Sequence, residues 1–98
     1  MNDEKIIYKD PNESMKELTM MLLYLSRFTR NEKFEVAKNF YSWKNYSYNI
    51  LNELDRENYI DQGLHKTKSR SIRITEDGIT KAKELLDLYG INDWIYAI

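Results

Sequence analysis

The chain has 98 residues, 42% hydrophobic and 32% charged, with a formal net charge of −1 and no cysteine. That balance excludes a disordered chain, and the missing cysteine excludes a disulfide scaffold, a thiolate metal site and a Cys nucleophile. The length suits a single domain over 1–98, in which every helix must contribute to one core.

The first ten residues, MNDEKIIYKD, carry acids where a signal peptide would be basic. The longest apolar block, 20–25, is far shorter than the roughly 20 residues that span a bilayer. A cytoplasmic location is expected, and the lack of Cys fits a reducing compartment. Charge is unevenly spread: Lys66, Lys68, Arg70 and Arg73 stand together with no acid between His65 and Thr75. One basic edge inside a near-neutral total suits a one-sided docking surface; a solvated hairpin turn is the plainer reading of the same residues.

Residues 1–9 form an N-terminal arm of undetermined structure. Asp10-Pro11-Asn12-Glu13 opens a first helix over 10–28: Asp caps, Pro suits the first helical position, and Glu13 can close a capping box, while Ser14-Met15-Lys16-Glu17 offers a second start one turn later. Met15, Leu18, Leu22 and Leu25 recur at helical spacing, and Met20, Met21, Leu23 and Tyr24 fill the other faces. A helix apolar nearly all round belongs in a core or a subunit interface. Thr29-Arg30-Asn31-Glu32 then starts a second helix over 30–41, burying Phe34, Ala37 and Phe40 or Tyr41. Ser42-Trp43-Lys44-Asn45 is expected to be a turn, with Trp43 plugging the corner.

The third helix, 45–58, carries most of the functional reading. At 100° per residue Ser47, Ile50, Leu51 and Leu54 share the side that must face the core. Asn45, Tyr48, Asn49, Asn52 and Arg56 centre on the opposite side. Asn can pair with the N6/N7 edge of adenine, Arg with the O6/N7 edge of guanine, and Tyr can reach phosphates. A bias of the whole chain toward Asn, Lys, Ile and Tyr is the plainer explanation. Glu53, Asp55 and Glu57 oppose a DNA role, although they sit toward the C-terminal half, away from the end that usually meets base edges.

Residues 59–75 read as a hairpin. Ile72 and Ile74 alternate with Ser71, Arg73 and Thr75, Gly63 suits a bulge or strand-end turn, and the tip is basic. Lys66, Lys68 and Arg70 would project as a wing onto phosphates or into a minor groove. His65, the sole histidine, has no companions for metal or acid–base chemistry and reads as a wing residue. Thr75-Glu76-Asp77-Gly78 caps a fourth helix over 76–89, with Ile79, Ala82, Leu85, Leu86 and Tyr89 as its apolar stripe. Gly90 ends it. The tail, 91–98, is too apolar to be left in water, so Trp94, Ile95, Tyr96 and Ile98 are candidate dimer or partner contacts.

Leu54-Asp55-Arg56-Glu57-Asn58-Tyr59-Ile60 resembles the end of a winged-helix recognition helix. Arg73-Ile74-Thr75-Glu76-Asp77-Gly78 resembles the start of the helix after the wing in MarR-like and PadR-like bacterial regulators. In element order the likeness covers residues 29–88, but Asn58 stands where Gly is usual and must adopt a left-handed or adapted turn. The resemblance implies a mainly α fold with a small β-hairpin, a winged helix-turn-helix of three helices, wing and fourth helix. By analogy it implies a homodimeric regulator binding double-stranded DNA, with the third helix in the major groove. A protein-interaction module on the same fold is the alternative. No Gly-rich phosphate loop, Ser/His/Asp set or metal-ligand spacing is present, so neither an enzyme nor a cofactor is expected.

Overall fold

A computed structural model describes residues 8–30, 39–64 and 69–94. Helix α1 (Pro11–Leu25) begins where the sequence signals it, with the Asp10 carboxylate accepting the Glu13 amide at 3.1 Å and Pro11 at the first position. It ends at Leu25, short of the expected 28. The Ser26 hydroxyl donates to the Leu22 carbonyl at 2.7 Å, and Phe28 has left the helix to pair with Tyr41 through two backbone bonds of 2.8 Å.

Strand β1 (Phe40–Trp43) corrects two expectations. Of the second helix placed at 30–41, residues 31–38, with Phe34 and Ala37, lie outside the described residues, whereas Phe40 and Tyr41 are strand. Ser42 and Trp43, expected in a turn, continue that strand. The cause is long-range pairing. β1 runs antiparallel to β3 (Ser71–Ile74), with Phe40 opposite Ile74 and Trp43 opposite Ser71. Four ladder positions outweigh a local helical spacing that Phe and Tyr, good strand formers, support only weakly. Trp43 plugs no corner. It is 53% exposed and lies on the Phe28 ring at 4.8 Å, while Ser42 is the buried residue, its hydroxyl 3.0 Å from that of Ser26.

Helix α2 (Tyr48–Arg56) occupies the middle of the expected 45–58. Strand β2 (Ile60–Asp61) follows and pairs antiparallel with β3, giving one sheet in the order β1-β3-β2. The anticipated two-stranded hairpin is therefore the far half of a three-stranded sheet, which resolves the marginal stability of a lone hairpin. Helix α3 (Glu76–Leu88) has Thr75 as its cap, accepting the Gly78 amide at 2.9 Å. It closes with Gly90 at φ 67° and the Ile91 amide on the Leu86 carbonyl at 2.8 Å, a Schellman arrangement.

The described residues thus form three helices and a small antiparallel sheet, a mixed α/β domain. Met20 and Leu23 of α1, Leu51 and Leu54 of α2, Ile72 and Ile74 of β3, and Ala82 and Leu85 of α3 meet in one core. Within α1 the expected stripe is inverted. Met20, Leu23 and Tyr24 point inward, while Met15, Leu18 and Leu22 remain about half exposed. Tyr89 likewise stands outside the core.

Candidate nucleic-acid interface

Ile50, Leu51 and Leu54 bury one side of α2 against the core, so the opposite side is fixed in the outward position. Tyr48 is 68% exposed, and Asn49 and Arg56 are exposed beside it. Asn45 is also exposed but precedes the helix, in the turn that joins β1 to α2.

Asn52 differs from these. It is half-buried, and its side-chain oxygen accepts the Gln62 Nε2 at 3.0 Å. Gln62 is almost fully buried, and both its backbone N (3.2 Å) and its Nε2 (3.1 Å) donate to the Asp55 carboxylate. The Gln62 Oε1 has no partner among the described residues. Asn52, Asp55 and Gln62 thus latch α2 to the chain leaving β2. Sequence reasoning missed Gln62, although strand alternation held the signal: Ile60 faces in, Asp61 out, Gln62 in again.

The three acids that counted against a DNA role are each held by a neighbouring element. Glu53 accepts from Asn12 Nδ2 at 3.0 Å, Asp55 bonds Gln62, and Glu57 takes the Lys16 ammonium of α1. The Glu57 contact, ahead of burial's opposing effect, holds the Lys16 pKa above its ordinary value. Lys16, Glu57 and Glu13 rim a cleft of about 330 Å³ floored by Met20, Leu54 and Leu85.

Beside the sheet, Arg70 is exposed just before β3, and its carbonyl accepts the Lys44 amide at 2.9 Å, continuing the β1–β3 pairing by one step. His65, Lys66 and Lys68 lie outside the described residues. Gly63, at φ 78°, lets the chain turn so that its amide reaches the Asp61 carboxylate at 2.8 Å. That bond, then Arg73 at 3.3 Å, holds the Asp61 carboxyl below its ordinary pKa.

A second cationic element was not anticipated. The Arg30 guanidinium lies 3.9 Å from the centroid of the Tyr41 ring and donates to the Ser71 hydroxyl. With Arg73 it lines a shallow cleft of about 210 Å³ shared with Gly63 and Ser69. The aromatic residues of β1 are the available signal, but the helical spacing places Phe40 and Tyr41 in a helix and the cap residues place Trp43 in a turn.

The tail lies elsewhere, against α1. Asp93 accepts from Tyr24 Oη at 2.7 Å and from Arg27 Nη1 at 3.2 Å, and the Trp94 indole donates to the Leu25 carbonyl. Ile95, Tyr96 and Ile98 lie outside the described residues. No group of three or more metal-ligating His, Cys, Asp or Glu side chains occurs among the described residues, and no helix there is long and apolar enough to cross a membrane.

No curated protein and no solved structure matches the chain. Residues 11–92 match the model of the domain of unknown function DUF6429, and the chain belongs to that family.

Proposed function

We propose that this chain is a small sequence-specific DNA-binding protein, a cytoplasmic transcriptional regulator of winged helix-turn-helix type. In this reading α2 enters the major groove of double-stranded DNA. The basic connection between β2 and β3 lies on phosphates or in the adjacent minor groove. The observation that carries the reading is the disposition of charge on α2. Its acids are engaged by Asn12, Gln62 and Lys16, while Tyr48, Asn49 and Arg56 point outward. Arg30 and Arg73 line one cleft with Gly63 and Ser69, which lie before and after residues 65–68 in the chain.

Fluorescence anisotropy with random duplex DNA across a salt series tests this. Binding is expected to fall with a log–log slope of about −0.9 per phosphate contacted. Asn49→Ala and Arg56→Ala should flatten discrimination between sites, whereas replacing Lys66, Lys68 and Arg70 should weaken all sites alike. No binding at low salt overturns the reading. The alternative, a protein-interaction module without DNA binding, draws on the exposed apolar side chains of α1. Those lie across the helix from the buried Met20 and Tyr24.

A further inference from the structure

The solvent side of α1 has the wrong chemistry for a surface helix. Pro11, Met15, Leu18 and Leu22 fall within one arc, exposed, with no charged residue among them. The helix's charged residues occupy the side shared with α2 and α3, where Lys16 pairs with Glu57 and Glu17 with Lys9. An exposed helix of a self-contained domain places its charges outward.

The segment after α3 completes this face. It runs along α1: Tyr89 Oη meets Glu17 at 2.6 Å, Ile91 shares a groove of about 340 Å³ with Leu18 and Met21, and Trp94 reaches Leu25. Ile91 is 42% and Trp94 61% exposed. The first helix and the described part of the tail, 91–94, two separate interface candidates in the sequence, therefore share one apolar face.

We propose that this face, centred on Leu18, seats a second copy of the chain. Two charge pairs at its margins, Lys9 with Glu17 and Arg27 with Asp93, are neutralised within the chain, which favours an uncharged partner surface. A stripe of apolar side chains along one side of a helix can pair with itself. Under a two-fold axis near Leu18, Met15 of one copy meets Leu22 of the other. The open parts of Met15, Leu18, Leu22, Tyr89, Ile91 and Trp94 sum to on the order of 600 Å² per copy. A standard stable interface buries roughly 800 Å² per partner, so most of the required area is present. This does not depend on α2 binding DNA.

Light scattering of the full chain over a micromolar concentration series tests the seam. The expected mass is that of two chains, falling to one in the Leu18→Glu/Leu22→Glu variant with the far-ultraviolet helical signal kept. Because the chain has no cysteine, Leu18→Cys is a unique reporter. It should give a covalent dimer with a short bis-maleimide, whereas Thr80→Cys on the exposed side of α3 should not. The crosslink decides the matter if the double variant misfolds. A parent that stays at one chain's mass overturns the proposal, as does a dimer that neither the glutamates nor the Leu18→Cys crosslink detects.

Discussion

Gly78 faces the Tyr59 carbonyl so closely that a Cβ built on it would lie 1.9 Å from that oxygen. This contact joins the start of α3 to the segment between α2 and β2. Thr75 fastens the same junction: its amide donates to the Tyr59 carbonyl at 3.1 Å, and its hydroxyl donates to the Asn58 carbonyl at 2.6 Å while accepting the Gly78 amide. A methyl group at Gly78 must push backbone away from backbone, with no flexible side chain to yield. Gly78→Ala should therefore cost about 3 kcal/mol. In thermal unfolding that corresponds to a midpoint lowered by roughly 10–20 °C. A variant melting with the parent would show that the two segments do not meet this way in solution.

Asn58, the last residue before that junction, is the one described non-glycine residue with positive φ, at 65°. Its side chain offsets part of the strain by donating to Asp77 at 2.9 Å. Asn58→Ala keeps the strain and loses the bond, so a loss of about 1–2 kcal/mol is expected in urea unfolding. Asn58→Gly loses the bond but removes the strain, and should stay within about 0.5 kcal/mol of the parent. An Ala variant as stable as the Gly variant would contradict the left-handed conformation.

Much of this was legible in the sequence because it is local. The caps Asp10 and Thr75, the stop at Gly90 and the need for a left-handed Asn58 all depend on neighbours within a few residues. What was not legible depends on distant partners. Phe40 and Tyr41 sit at helical spacing behind a capping box, yet join β3 some thirty residues later in the chain, and only that pairing makes them strand. The run Met15, Leu18, Leu22 reads as the buried stripe because nearly every side of α1 carries apolar residues, so periodicity does not say which side faces inward. For the candidate site, Tyr48, Asn49 and Arg56 followed from helix geometry. The engagement of Asn52 by Gln62, and of Glu57 by Lys16, required the fold.

The latch between α2 and β2 gives a prediction that separates structural from binding roles. Asp55→Ala strips the Gln62 backbone N and Nε2 of their shared acceptor in a buried site, and should cost about 1–3 kcal/mol. Asn52→Ala removes one bond and should cost about 1 kcal/mol. The two should be non-additive, since both act on Gln62 Nε2. Asn49→Ala, on the open side, should leave urea unfolding within about 0.5 kcal/mol of the parent. Additive losses at Asn52 and Asp55 would mean that Gln62 does not couple them.

Docking of the tail on α1 should depend on pH at both extremes. Burial acts to raise the Asp93 carboxyl, but bonds from Tyr24, the Trp94 amide and Arg27 outweigh it and hold the pKa below its ordinary value. A depressed carboxylate stabilises the docked form above the unfolded pKa of about 3.9, and the contribution is lost as pH falls through the lower folded value. Tyr24 behaves oppositely: burial first, and the bond to Asp93 second, push its phenol up to about 12. Its contribution is complete below the unfolded value of about 10 and disappears as pH rises through the folded one. In a Trp43→Phe background, where Trp94 is the remaining tryptophan, emission should be flat between about pH 4 and 10. It should shift to the red at either end while the far-ultraviolet signal persists. Tyr24→Phe should abolish the alkaline limb and keep the acid one, and Asp93→Asn should abolish the acid limb. An acid limb surviving Asp93→Asn would assign it to another carboxylate and leave the tail held chiefly by the Trp94 indole on the Leu25 carbonyl.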